Sequence, residues 1–167
     1  MQVEKATIDN VLEVMYLLQH CIEDFNKNSV YQWNTSYPDY YRLLREVEEG
    51  SLYMIKSKGV CVGTITFGEQ QEDAFNEVSW NNKDGKYLVI RRIAVFPTWQ
   101  KKGVGRMLVE FAEKYAHENG FKSVRLDVAS NSKHMLKMYE SIGYIETGEI
   151  LYPKQKEPFI CLEKVIK

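Results

Sequence analysis

Apolar and polar residues recur along this chain with two periods, and the period changes at glycine, proline and asparagine. Val3 to Thr7 reads as a short strand. Asp9 is placed to cap a helix with Val11, Leu12, Met15, Leu18, Ile22 and Phe25 on one face. A polar and aromatic loop runs from Asn26 to Tyr37. Pro38 then opens a second helix, with Tyr41, Leu44 and Val47 inward and Gly50 as its stop. Two strand-like runs separated by Lys58-Gly59, from Leu52 and from Val60, predict a hairpin.

Gly68 to Lys86 is polar, and Asn81-Asn82-Lys83-Asp84-Gly85 is its clearest turn signal. Tyr87 to Phe96 is nearly continuously apolar, broken only by Arg91 and Arg92, which fits a strand covered on both faces. Pro97 ends it. Val104, Met107, Leu108, Phe111, Ala112 and Tyr115 recur at helical spacing up to Gly120. Val124 to Val128 is another strand. Asn131 is expected to cap a helix through Met135, Tyr139 and Ile142, stopped by Gly143. Two final strands, near Tyr144 to Leu151 and Phe159 to Val165, flank a Pro153 to Pro158 loop. The order is βααββ followed by βαβαββ, a mixed α/β fold with one crossover unit. No repeat, low-complexity tract or linker divides the 167 residues, so one domain is expected.

Composition narrows the partners. The chain is 44% apolar and 27% charged, ordinary for a globular protein, and its net charge is -1. That balance argues against a general nucleic-acid binder. No apolar run reaches the roughly 18 residues of a membrane span. Met1-Gln2-Val3-Glu4-Lys5 lacks an apolar leader segment, so a cytoplasmic location is expected. Cys21, Cys61 and Cys161 are scattered and read as buried small hydrophobes. His20, His117 and His134 show no metal-ligand spacing, and no metal is expected.

One local feature stands out against this background. Gln100-Lys101-Lys102-Gly103-Val104-Gly105-Arg106 joins the long apolar strand to an amphipathic helix. Two glycines leave successive backbone N–H groups uncovered where the positive end of the helix dipole lies, which makes a phosphate cradle. Lys101, Lys102 and Arg106 add positive charge. A dinucleotide fingerprint fits less well, although Asp127 lies about 20 residues on. Leu108 stands where the third glycine belongs. A P-loop is excluded because no Gly-Lys-Ser/Thr follows.

Ile93-Ala94-Val95-Phe96-Pro97 followed by Gln100-Lys101-Lys102-Gly103-Val104-Gly105 resembles the acetyl-CoA signature of the GNAT family of N-acetyltransferases. Leu126-Asp127-Val128, Asn131, Met138-Tyr139-Glu140 and Gly143-Tyr144 resemble the second half of that family. The clear match runs from Tyr87 to Ile150. The resemblance implies a splayed mixed central sheet flanked by helices, with pantetheine in the gap. It implies that Ile93, Ala94 and Val95 meet pantetheine, and that Gln100 to Arg106 hold the pyrophosphate. Asn131 and Tyr139 would also meet the cofactor. The Lys101 and Lys102 side chains would reach the 3′-phosphate or simply face solvent.

The implied activity is transfer of acetyl from acetyl-CoA to a primary amine of a small molecule, peptide or protein. A backbone N–H near Val95 is the expected oxyanion donor, and Tyr139 the expected acid for the leaving thiolate. The base is sought among Glu69, Glu72, Asp73 and Glu77, with Glu77 carried as the candidate. Tyr31, Trp33, Tyr37 and Trp80 are loop aromatics that line an acceptor cleft or anchor their loops; Trp33 and Tyr37 are carried as acceptor residues. Alternation sends Arg91 and Arg92 to opposite faces. One is expected at an acidic acceptor group, with Arg92 named for that role, and the other beside a carboxylate such as Asp127. Two rivals stand beside the enzyme: an acyl-CoA-binding sensor without turnover, and a nicotinamide-dependent oxidoreductase. Homodimerisation is common among proteins of the resembled family and is carried as an expectation.

Overall fold

The structure is a computed structural model that describes residues 1–27 and 38–167. Among the described residues, seven strands and four helices follow the expected order. They are β1 (Val3–Lys5), α1 (Val11–Lys27), α2 (Tyr40–Glu49), β2 (Leu52–Ser57), β3 (Val60–Gly68) and β4 (Tyr87–Val95). Then come α3 (Val104–Glu118), β5 (Ser123–Ala129), α4 (Lys133–Ser141), β6 (Ile145–Ile150) and β7 (Phe159–Val165). The strands form a mixed sheet in the order β1-β2-β3-β4-β5-β7-β6. Among the described residues, no helix is long and apolar enough to cross a membrane.

Two compact units divide the chain, and the boundary falls inside β4. The first comprises Met1–Phe67 and Arg92–Phe111. Its core joins Val11, Val14, Leu17, Leu18, Cys21 and Ile22 of α1 to Leu43, Leu52, Met54, Cys61 and Ala94. On the opposite face of the β2–β3 hairpin, Tyr53 stacks on Phe67 and Phe111 lies tilted against both rings. Both faces of β3 are therefore covered, and its residues from Cys61 to Phe67 are buried without a break, Thr64 and Thr66 included.

Helix rotation departs from the sequence expectation. Leu12 is 72% exposed and Tyr41 is 73% exposed, while Val14, Leu17 and Leu43 are buried. Each helix is apolar around more than one stripe, and packing against the hairpin selects the stripe. The caps differ too. Asn10, not Asp9, organises the start of α1: its side chain accepts from the Thr7 N–H (2.8 Å) and hydroxyl (2.9 Å). Asp39 caps α2 by accepting from the Arg42 N–H (2.8 Å). Gly50 ends α2 at φ 72°.

The second unit comprises Gly68–Arg91 and Ala112–Lys167. β5 pairs with β7 antiparallel along its whole length, and β6 pairs with the far side of β7. On its other side β5 pairs with β4 in parallel at Tyr87–Val89 with Ser123–Arg125. The polar segment between β3 and β4 contains a 3-10 turn, Asp73–Glu77. Its apolar residues Phe75 and Trp80 pack with Val89, Ile150 and Cys161. Trp80 donates its indole N–H to the Phe75 carbonyl (2.8 Å) and is buried, so it anchors the segment instead of lining an acceptor cleft. Arg125 completes the anchor. It pairs with Glu163 (3.3 Å) and stacks on Tyr87 and Trp80 at 3.9 and 4.7 Å, while Glu163 accepts the Asn81 N–H (2.6 Å).

Candidate active site

In the first unit, side chains as well as backbone hold the end of β4. The Val95 carbonyl accepts the Cys21 thiol (3.3 Å) and the Gln100 side-chain amide (3.1 Å). The next N–H, of Phe96, donates to Val62 (2.9 Å). Pro97 cannot extend the ladder and opens a 3-10 turn, Pro97–Trp99. The Gln100 side chain therefore folds back on β4, leaving only its backbone for an anion.

The expected cradle follows. Lys101 and Gly103 both adopt left-handed backbone, at φ 60° and 85°. The first intrahelical bond of α3 runs from the Met107 N–H to the Gly103 carbonyl (3.0 Å). The N–H groups from Gly103 to Arg106 thus precede the helical ladder, and the first turn carries no acidic side chain. A Cβ at Gly103 would meet nothing within 4 Å, and one at Gly105 would meet only Val95 Cγ2 at 3.7 Å. Protein packing does not require glycine at position 105, where alanine would favour the helix by about 1 kcal/mol. Bare backbone there is what a close-lying phosphate needs.

Gly63 sets the approach of α3. A Cβ there would lie 3.0 Å from Ile55 Cγ2 and Val104 Cγ1 and 3.1 Å from Leu108 Cδ1. Only glycine lets the first turn of α3 seat this closely on β3. Lys101 and Lys102 are exposed; Lys102 lies over the Trp99 ring, and Arg106 pairs with Glu110 (2.8 Å).

Arg92 does not face an acceptor. Its side chain is 1% exposed and is held by Glu46 of α2, with Nη1 donating to Oε1 (3.2 Å) and Nη2 to Oε2. Nη2 also donates to the Thr66 hydroxyl (3.0 Å), which in turn donates to Glu46 Oε2 (3.0 Å). A guanidinium buried and paired in this way is structural.

The second unit holds the remaining candidates. Tyr139 sits on α4, buried against Tyr144 with ring centroids 5.2 Å apart. Its hydroxyl makes no hydrogen bond among the described residues. Burial pushes its pKa above the usual phenol value, so it stays protonated near neutrality. Ser132, not Asn131, is the N-cap of α4, without a side-chain bond of its own, and Asn131 is exposed. Asp127 pairs with neither arginine: it accepts the Tyr152 hydroxyl at 2.5 Å, and burial raises its carboxyl to about 6. Tyr152 lies beyond β6, and nothing in its sequence setting links it to Asp127. Glu72, Asp73 and Glu77 are exposed, and Glu69, also exposed, lies 3.7 Å from Lys86. Tyr31, Trp33 and Tyr37 fall outside the described residues. The three thiols are buried and raised to about 12, so they are inert.

The chain is 28% identical over 111 residues to S-(2-succino)cysteine N-acetyltransferase of Bacillus subtilis. That match covers 64% of this chain and 62% of the relative, so the chain spans less than two thirds of it. A GNAT-family acetyltransferase structure from Streptococcus agalactiae superposes with TM-score 0.84 at 16% identity, covering 99% and 95% of the two chains. The Salmonella typhimurium protein yncA, solved with its cofactor acetyl-CoA, gives TM-score 0.75 at 16% identity, covering 100% and 94%. The fold is thus that of GNAT structures. The model of the acetyltransferase (GNAT) family matches residues 17–144, which span the cradle, β5 and the Tyr139 helix, and the chain belongs to that family.

Proposed function

We propose that this chain is an acetyl-CoA-dependent N-acetyltransferase acting on the primary amine of a small molecule or peptide. The observation that carries the reading is the bare backbone from Gly103 to Arg106, where a Cβ at Gly105 would meet only Val95 Cγ2, at an ordinary 3.7 Å. The residues fit acetyl-CoA: a helix start with no acidic side chain in its first turn for the pyrophosphate, and exposed Lys101 and Lys102 for a further phosphate. Acetyl-CoA supplies an already activated thioester. The chain then has to orient an amine, favour charge on the carbonyl oxygen and assist the leaving sulfur.

Ile93, Ala94 and Val95 are assigned to the pantetheine arm, with Val95 contributing the oxyanion donor. Tyr139 is assigned to the sulfur. A phenol held above its usual pKa stays protonated near neutrality, so its proton is present to hydrogen-bond the sulfur, and it gives that proton up only as it receives another. Its lack of a hydrogen-bond partner among the described residues supports this role. A small acceptor is favoured because the Bacillus subtilis relative is named for one, S-(2-succino)cysteine.

Calorimetry with acetyl-CoA, followed by thiol release across a panel of amines, tests the reading. Binding and amine-dependent release are expected. Binding without release from any amine would make the chain an acyl-CoA sensor. NADH binding in place of acetyl-CoA would sink both.

A further inference from the structure

Glu46, Glu113 and Glu163 each sit against a cation: Arg92, Lys164 and Arg125. Asp127 does not. It is half-buried on β5, on the strand face that also carries Arg125. The groups that share its electrostatic surroundings are Tyr152 from the β6–β7 loop, Glu72 before the 3-10 turn, Cys161 on β7 and Tyr139 on α4. None of them is a cation. A carboxylate held partly out of water without a counter-charge costs stability. Such a group, oriented by a directed bond from the Tyr152 hydroxyl, is a candidate for chemistry.

Its place in the sheet supports that. The β4–β5 ladder extends to Val89 and Arg125, while β5 goes on pairing with β7 to Ala129. Asp127 stands two residues past the end of the parallel ladder, opposite Cys161 of β7.

Resting on the N-acetyltransferase reading above, we propose that Asp127, positioned by Tyr152, is the proton acceptor for the ammonium group of the acceptor. The carboxylate takes one proton from R–NH3+, giving R–NH2 and a neutral carboxyl. The amine nitrogen forms the C–N bond to the acetyl carbon, and the C–S bond breaks. The second proton lost from nitrogen passes to the departing sulfur through the Tyr139 hydroxyl, which gives one proton as it takes another. Asp127 then releases its proton to solvent. The products are the amide, the free thiol and one proton. Tyr152 is a positioning residue, and its bond favours the ionised form of Asp127.

The test uses the full chain, acetyl-CoA and whichever panel amine the wild type turns over. Asp127→Asn should lower kcat roughly 100-fold or more. It should leave acetyl-CoA affinity unchanged and the thermal midpoint unchanged or raised. In Tyr152→Phe the acid limb of kcat/KM, which reports the free enzyme, should move up from its wild-type position near 6, because the bond that favours the carboxylate is gone. A purely structural Tyr152 would leave that limb in place. An Asn variant within about threefold of wild type, or an unmoved limb in Tyr152→Phe, overturns this assignment alone. A wild type that releases no thiol with any amine overturns the acetyltransferase reading, and this assignment with it.

Discussion

Removing the Glu46 carboxylate should unfold much of what holds α2 to the sheet. Arg92 is 1% exposed at its side chain and Glu46 is 3% exposed, so neither charge can turn to water when its partner is lost. In Glu46→Ala, Nη1 and Nη2 of Arg92 each lose a carboxylate oxygen, and Arg92 Nε is already buried without a partner. Two charged hydrogen bonds at about 1.5–3 kcal/mol each give a loss of about 3–6 kcal/mol. Against a total of roughly 5–15 kcal/mol, that is a large fraction. Urea denaturation should show a lower midpoint with an unchanged m-value. Replacing both partners together, Glu46→Leu with Arg92→Met, should recover most of the loss, because no buried charge remains. The double-mutant cycle then carries a coupling of about 3 kcal/mol. For comparison, Glu110→Ala, at the exposed Arg106–Glu110 pair, should cost about 0.3–0.5 kcal/mol. A Glu46→Ala loss as small as that, or a double variant no more stable than the single, would refute burial as the source of the effect.

Three further outcomes are expected. Tyr139→Phe should lower kcat roughly 100-fold or more in the thiol-release assay. Its thermal midpoint should not fall, because the lost hydroxyl has no hydrogen-bond partner among the described residues. Gly105→Ala should stabilise the chain by up to about 1 kcal/mol and weaken acetyl-CoA binding measured by calorimetry. Asp127 links stability to pH in the unusual direction for a carboxylate. Its folded pKa is raised from 3.8 to about 6, so its favourable contribution is complete below the unfolded value and is lost as pH rises through about 6. A shift of about two units corresponds to a ceiling of about 3 kcal/mol between those limits. Asp127→Asn should remove that slope in denaturant titrations across the same range.

The order of elements was legible because periods of 2 and 3.6 depend on neighbours a few residues apart. Helix faces were less legible. Leu12 and Tyr41 satisfy an apolar pattern as well as Val14 and Leu43 do, and only the hairpin's surface chooses between them. The same limit applied at the caps, where Thr7 with Asn10, and Ser132, hold the helix starts expected of Asp9 and Asn131. Trp80 showed an aromatic on a loop but not its bond to the Phe75 carbonyl, which makes it an anchor.

For the candidate site, the sequence alone determined the glycine cradle and the strand before it. A bare backbone, a proline stop and a helix start are local covalent facts, and their donors point outward wherever the domain packs. Tertiary structure decided the charges. Arg92 is spent on Glu46, Arg125 on Glu163, and Asp127 is left with a phenol, each partner 25 or more residues away in the chain. The state of a charged group is a sum over everything folded around it, which no local pattern contains.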